Sequence, residues 1–143
     1  MDARDDIRRV LIQRHQNLPE GIRYPEASEQ QLIVFENEFG NIPDLFRWYL
    51  LNCGGGVVGS EWVDGIQNLP DTHREFNRDR VAGFWPLMND VFVIGRDKGG
   101  NYFGIHQPSG RVVLEDHDFG GLHEVAPSLE HFLVSGLIGD DDQ

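Results

Sequence analysis

Three short apolar runs lie close together in the second half of the chain, and the segments between them have turn chemistry. The runs are Val91–Arg96, Tyr102–His106 and residues 111–114. The connections, residues 97–101 and 107–110, are rich in Asp, Asn, Gly, Pro and Ser, which favour tight turns between strands. The pattern therefore predicts an antiparallel β-meander. Because strands this short bury little apolar surface alone, helices must cover one face of the sheet.

Helical patterns on both sides of the meander can provide this cover. Ile7, Val10 and Leu11 share one face of a short amphipathic segment near the N-terminus. Near the C-terminus, Ser128 precedes a run of apolar residues at helical spacing. We therefore expect one helix at each end of the chain.

The segment from residue 28 to residue 56 has clear helix start and stop signals. Ser28 and Gln31 have the spacing of a capping box, and Gly40 suits the end of the helix that they begin. Pro43 begins a second, broadly apolar helix, which stops at the three glycines 54–56. The predicted fold class is α+β: a twisted antiparallel β-sheet packed against N-terminal and C-terminal helices in a single domain.

The chain length agrees with one domain, since 143 residues leave no room for a second independently folded unit. We assign residues 1–143 to this domain, with a core of about 25–135 and a short acidic C-terminal tail. Residues 61–89 give the least definite pattern. They contain a weak strand signal at Glu61–Val63 and a polar stretch at 71–80.

The charge distribution favours some partners over others. The chain has 24 Asp and Glu against 12 Lys and Arg, a net charge of -12, and no Lys or Arg follows Val112. Direct nucleic-acid binding is not expected, because contacts to phosphates require a basic face. A basic protein partner would be attracted instead.

No apolar run approaches the length of a membrane span, and the charged N-terminus does not resemble a secretory signal. We therefore expect a cytoplasmic protein without membrane contact. The single cysteine, Cys53, ends an apolar helical stretch and is expected to be buried rather than reactive.

Several features resemble catalytic or metal sites only weakly. The glycines 54–56 follow a helix, whereas a phosphate-binding loop precedes one. Asp116, His117, Asp118, His123 and Glu124 are the densest potential metal ligands, but their spacing does not place two on one helix face. We expect no catalytic residue, no metal and no cofactor. A metal-dependent hydrolase that uses the 116–124 cluster is a minor alternative.

Two tryptophans lie in irregular, polar surroundings. Trp62 and Trp85 are either exposed anchors for a partner or large aromatics that pack over the sheet edge.

Two blocks of the sequence carry a family resemblance. The first combines a helix, a turn, a second helix and a glycine pair, in residues 28–32, 35–36, 39–40, 42–43, 46, 49–50 and 52–55. The second combines hairpins and a closing helix, in residues 97–102, 110–113 and 125–133. Their order and spacing resemble the SUKH superfamily, which includes the yeast Smi/Knr cell-wall assembly regulators and many bacterial immunity proteins. The chain departs from the family pattern at Ile42, where leucine is commoner, and throughout residues 61–89.

The resemblance implies an α+β domain that binds proteins and has no catalytic residues. The leading hypothesis is a bacterial immunity protein that neutralises a cognate polymorphic or contact-dependent toxin, such as a nuclease, by direct binding. An acidic surface would occupy the basic groove of that nuclease. The candidate partner-binding residues are Trp62, Asp64, Trp85, Asp97, Glu115, Asp116 and Asp118. The alternative is a regulatory scaffold domain that binds endogenous proteins, as in fungal cell-wall regulators. The sequence leaves the oligomeric state open.

Overall fold

A six-stranded antiparallel sheet organises the fold in the computed structural model, which describes residues 3–139. Five α-helices and one 3-10 turn complete the described part of the chain. In chain order the elements are α1 (Ala3–Gln16), the 3-10 turn (Glu20–Ile22), α2 (Glu29–Phe39), α3 (Asp44–Asn52), β1 (Gly56–Val58), β2 (Glu61–Val63), α4 (Leu69–Val81), β3 (Val91–Arg96), β4 (Tyr102–His106), β5 (Val112–Glu115), β6 (Leu122–Ala126) and α5 (Leu129–Leu137).

The strands follow one another across the sheet in the order β1-β2-β3-β4-β5-β6, and each pairs antiparallel with the next. The predicted meander is therefore the centre of a longer one. Val93 pairs with Gly104, and an irregularity in β3 separates this pair from that of Gly95 with Phe103. The fold class is confirmed as α+β, with helices from both ends of the chain packed on the sheet.

Successive side chains of a strand point to opposite faces, so neighbouring residues of β4 enter different clusters. Phe103 belongs to the larger core, which it shares with side chains of α1, α2, α3 and α5. Tyr102 belongs to a smaller cluster with Phe76 of α4 and Met88 of the following loop. The sheet thus carries helical cover on both faces, and the loop after α4 lies over the second face.

The predicted helix starts are confirmed by their hydrogen bonds. The Ser28 hydroxyl accepts from the Gln31 amide at 3.1 Å, and the Gln31 side chain accepts from the Ser28 amide at 2.9 Å. Ser128 caps α5 by accepting from the His131 amide at 3.0 Å. Gly40 ends α2 with φ +97, a conformation that glycine adopts without strain.

Helix α4 and strand β6 are not predicted by the sequence pattern. Helix α4 lies in the polar stretch and buries only Leu69, His73 and Phe76. Strand β6 (Leu122–Ala126) gives no alternating apolar pattern in the sequence, because its first four side chains are exposed. Both elements frame the loops described below. Of the predicted acidic tail, residues 139–143, all but Gly139 lie outside the described residues.

Candidate protein-binding surface

Three loops converge beside the second face of the sheet. They are residues 82–90 between α4 and β3, residues 97–101 between β3 and β4, and residues 116–121 between β5 and β6. The Trp85 ring packs edge-on against His117, with centroids 5.8 Å apart. The Asn101 side chain accepts from the His117 amide at 3.0 Å. Contacts between side chains thus join all three loops into one surface.

A groove of about 540 Å³ lies between two of these loops and is lined by Asp79, Phe84, Trp85 and Asp116, among others. The 116–121 turn, which borders the groove, also carries Asp118 and Phe119. Phe84 is 63% exposed and Phe119 is 92% exposed. Exposed aromatic side chains beside a groove are suited to protein contact. We call the following set the acidic aromatic surface: Asp79, Phe84, Trp85, Asp116, Asp118 and Phe119.

Trp85 has an unusual backbone conformation, with φ +58. A bulky side chain in this left-handed region is strained, and such strain is common at functional sites. Three contacts hold it: the Arg80 guanidinium donates to the Trp85 carbonyl at 2.7 Å, the indole N–H donates to Asp79 at 3.3 Å, and the ring packs against Tyr102. Trp85 therefore acts as a fixed wall of the groove.

Asp116 shapes the turn that carries Phe119. Its carboxylate accepts the backbone amides of Asp118 at 2.8 Å and Phe119 at 3.0 Å. These hydrogen bonds, the one from Phe119 first, lower the pKa of Asp116 because they favour the charged form. Asp118 itself is exposed beside His117. The turn thus presents two carboxylates and one aromatic ring to solvent.

Glu115 does not lie on the surface, contrary to the sequence-based expectation. Its side chain is buried, with 7% of the residue exposed, and it accepts the Leu87 backbone amide at 2.9 Å. Its position at the end of β5 turns it under the 82–90 loop rather than outward with Asp118. Glu115 therefore fixes one loop of the surface from below.

Asp97 orders the β3–β4 turn at the side of the acidic aromatic surface. It accepts from the Asn101 backbone amide at 2.8 Å and from the Asn101 side-chain amide at 3.1 Å. Asn101 in turn accepts from His117. Asp97 is half-buried, and its main contacts position the neighbouring turn.

Trp62 and Asp64, the remaining predicted site residues, make other contacts. Trp62 in β2 is 39% exposed and packs near Tyr24, with ring centroids 6.0 Å apart. Asp64 is half-buried and accepts from the Thr72 hydroxyl of α4 at 2.5 Å. Burial raises the pKa of Asp64 to about 6 because it disfavours the charged carboxylate. This carboxylate joins β2 to α4 instead of facing a partner.

The raised pKa of Asp64 predicts a pH-dependent gain in stability for Asp64→Asn. Folded Asp64 keeps its proton up to about pH 6, whereas the unfolded side chain loses it near pH 3.9. Its ionisation therefore reduces the stability of the wild-type protein as the pH rises between these values. We expect the free energy of unfolding of Asp64→Asn to exceed that of the wild type by about 2 kcal/mol at pH 7 and by almost nothing at pH 4.

Urea unfolding at several pH values measures this difference. Asp71→Asn is the control, because it removes an exposed carboxylate near the start of α4, the helix that Asp64 contacts. A gain for Asp64→Asn that does not change with pH would contradict the assigned cause.

Within residues 3–139, no group of three or more His, Cys, Asp and Glu side chains is arranged to hold a metal ion. Cys53 is fully buried, and burial raises the pKa of its thiol to about 12. A thiol in this state is a poor nucleophile. No described helix is long and apolar enough to cross a membrane. The chemistry that the surface itself offers is recognition by charge and by exposed aromatic rings.

The model of the SMI1/KNR4 family (SUKH-1) matches residues 26–135, which include α2, all six strands and the three converging loops. The chain belongs to the SUKH-1 family. The superfamily expected from the sequence is thereby confirmed. No curated protein is significantly similar to the chain. SUKH proteins generally bind partner proteins. The family match therefore agrees with reading the acidic aromatic surface as a place for protein contact.

Only one aromatic residue of the acidic aromatic surface, Trp85, is identified from the sequence of this SUKH-1 protein, whereas Phe84 and Phe119 are missed. Trp85 is a candidate binding residue because it is an aromatic residue in a polar loop. The two missed phenylalanines have the same feature. Phe84 lies between Gly83 and Trp85, and Phe119 lies between Asp118 and Gly120. A phenylalanine flanked by turn residues cannot join a regular apolar face, which makes it a candidate for exposure.

Proposed function

We propose that this SUKH-1 protein is a bacterial immunity protein that binds and neutralises a toxin domain in the cytoplasm. It acts by binding and not by catalysis. The observation that carries the proposal is the acidic aromatic surface: the exposed Phe84 lines a groove together with Asp116, and the exposed Phe119 lies in the same turn as Asp116 and Asp118. Aromatic residues are enriched among the energetically important contacts of protein interfaces, and they suit the centre of a binding site.

Charge supports a nuclease as the toxin. A nuclease is basic where it holds nucleic acid. The net charge of -12, and a chain without Lys or Arg after Val112, favour encounter with such a groove. Carboxylates of the 116–121 turn would occupy phosphate positions in the groove, while Phe84 and Phe119 would supply apolar contact.

Growth rescue tests this proposal. The product of the adjacent gene is induced in a host cell with and without this protein, and complex formation is followed by copurification. Rescue together with a stable complex is the expected result. The absence of rescue, with no toxin-like neighbour, would contradict immunity and favour a regulatory scaffold that binds endogenous proteins.

Charge reversal tests the electrostatic part separately. We expect Asp118→Lys to weaken toxin binding by about threefold to tenfold, mainly by slowing association. The effect should shrink as salt is raised, because exposed charges are screened. Glu115 and Asp116 are left unchanged, since each carboxylate holds a loop by accepting backbone amides and its reversal would disturb that loop.

The control for charge reversal is Asp44→Lys, which makes the same change in net charge at an exposed position of α3. Association rates measured by surface plasmon resonance compare the two variants. Equal slowing by both would assign the effect to net charge, and unchanged binding would remove electrostatics from the proposed interface.

A further inference from the structure

The two edges of the sheet are protected differently. At the β1 edge, Arg23 forms a bridge to Gly56, and the Gly59 amide donates to the Gly136 carbonyl of α5 at 3.2 Å. At the other edge, β6 pairs with β5, and no further strand within residues 3–139 pairs with it. An open edge is a template for another strand, and proteins usually protect it with charged side chains, proline or a β-bulge. Strand β6 contains no proline or lysine, and its register shifts only between Glu124 and Ala126, which leaves residues 122–124 as a regular edge.

The pairing of β5 with β6 identifies the backbone groups at the open edge. The Asp116 amide donates to the Gly121 carbonyl at 3.0 Å, so these residues face each other through hydrogen bonds. Such pairs alternate along an antiparallel ladder, with Glu115 opposite Leu122 and Leu114 opposite His123. The amides and carbonyls of Leu122 and Glu124 therefore point away from β5. They can bond to an added strand.

A groove of about 340 Å³ begins at the end of this edge. Val125, His131 and Phe132 line one part, and Ser60 and Glu61 of the β1–β2 hairpin line another. In strand addition, the main chain supplies affinity, and pockets beside the edge select side chains of the added strand. The groove offers an apolar wall and a carboxylate, which suit the stem and the charged end of Lys or Arg.

The charges around the β6 edge also favour a segment that contains Lys or Arg. Glu124 and Glu130 are exposed here, and the nearest arginine in sequence, Arg111, is paired with Glu124 at 3.3 Å. A second copy of the chain would bring like charges together, since each copy has a net charge of -12. A basic segment would be attracted.

We propose that the open edge of β6 binds an extended segment of the protein partner as a seventh strand, with Lys or Arg at alternate positions and one of them in the groove beside Glu61. The inference rests on the proposed function, because it assumes a basic protein partner. It adds a second contact region next to the acidic aromatic surface, and the 116–121 turn connects the two.

Selection from a display library of random peptides of about ten residues tests the inference without knowledge of the toxin. The enriched peptides should carry Lys or Arg at alternate positions. Amide exchange followed by NMR should show the Leu122 and Glu124 amides protected by at least about tenfold when a selected peptide binds. Failure to select peptides, or selected peptides that leave these two amides unprotected, would overturn the inference.

Glu124→Pro removes one outward N–H at an edge position where proline is tolerated. We expect it to lower peptide affinity by at least about tenfold, whereas Glu124→Gln, which removes only the charge, should lower it about threefold or less. A selected peptide N-methylated at the amides that face β6 should lose binding to the wild-type protein, which tests the same bonds without altering its fold. Equal binding of the methylated peptide would overturn the inference.

Two comparisons separate this inference from the proposed function. Growth rescue retained in full by Glu124→Pro would overturn strand addition and leave immunity intact. Peptide binding at β6 without rescue by the wild-type protein would support strand addition and contradict immunity. Protection of Leu122 and Glu124 by self-association, seen as concentration dependence in sedimentation, would assign the edge to a second copy and overturn the inference.

Discussion

Phe119→Ala is expected to weaken toxin binding by about thirtyfold or more, and Phe84→Ala by a similar factor, because aromatic anchors dominate interface energetics. Neither change should reduce the stability of the free protein by more than about 0.5 kcal/mol. The reason is their position: the two residues are 92% and 63% exposed, so truncation leaves no cavity in the core. Calorimetric titration with an inactivated toxin domain measures the affinities, and urea unfolding measures the stabilities.

Val34→Ala is the matched control for these two variants. Val34 is an apolar side chain of α2 that is 58% exposed, outside the acidic aromatic surface. Its truncation should leave toxin affinity within about threefold of the wild type. Equal losses for Val34→Ala and Phe119→Ala, or unchanged binding by both phenylalanine variants, would contradict the proposed surface.

Gly54→Ala is expected to cause the largest loss of stability, about 3 kcal/mol or more. Gly54 has φ +107, and a Cβ at this position would lie 2.4 Å from the Tyr24 carbonyl oxygen and 2.5 Å from that of Pro25. Both obstacles are backbone atoms in a segment tied to α3, since the Ala27 amide donates to the Leu50 carbonyl at 2.8 Å. The clash therefore cannot be relieved by rotating a side chain.

Substitutions at two other glycines distinguish the cost of the steric clash from the cost of a positive φ. Gly40 has φ +97 and ψ 177, a region essentially restricted to glycine, but open space where a Cβ would lie, so Gly40→Ala should cost about 2 kcal/mol. Gly21 has open space and no positive φ, so Gly21→Ala should be neutral or slightly stabilising. Urea unfolding of the three variants ranks their losses of stability. A cost for Gly54→Ala no larger than that for Gly40→Ala would exclude close packing as the cause.

The elements with strong local signals are predictable from the sequence. The capping pair Ser28 and Gln31 sets the start of α2, and the turns at 97–101 and 107–110 set the central strands. Helix α4 is missed because its buried face consists of Leu69, His73 and Phe76, and a histidine interrupts the apolar pattern. The His73 ring is held in the core by a 2.9 Å hydrogen bond with the Val93 carbonyl, a long-range contact without a local signal.

Strand β6 is missed for the opposite reason. Alternation between apolar and polar residues reports burial of one face, and the side chains of β6 are exposed up to Ala126. Its place is fixed by pairing with β5. The same limit applies to the site, because Glu115 and Asp116 are adjacent in sequence, yet Glu115 is buried and holds the 82–90 loop while Asp116 is less buried and holds the 116–121 turn.

Hydrogen–deuterium exchange on the complex with an inactivated toxin domain tests the central claim most directly, because it maps the contact region without a substitution. Exchange should slow at residues 82–90 and 116–121, which carry Phe84, Trp85 and Phe119, while α1 and the exposed side of α2 remain unchanged. Protection confined to α1 and α2, with the two loops exchanging as in the free protein, would contradict binding through the acidic aromatic surface.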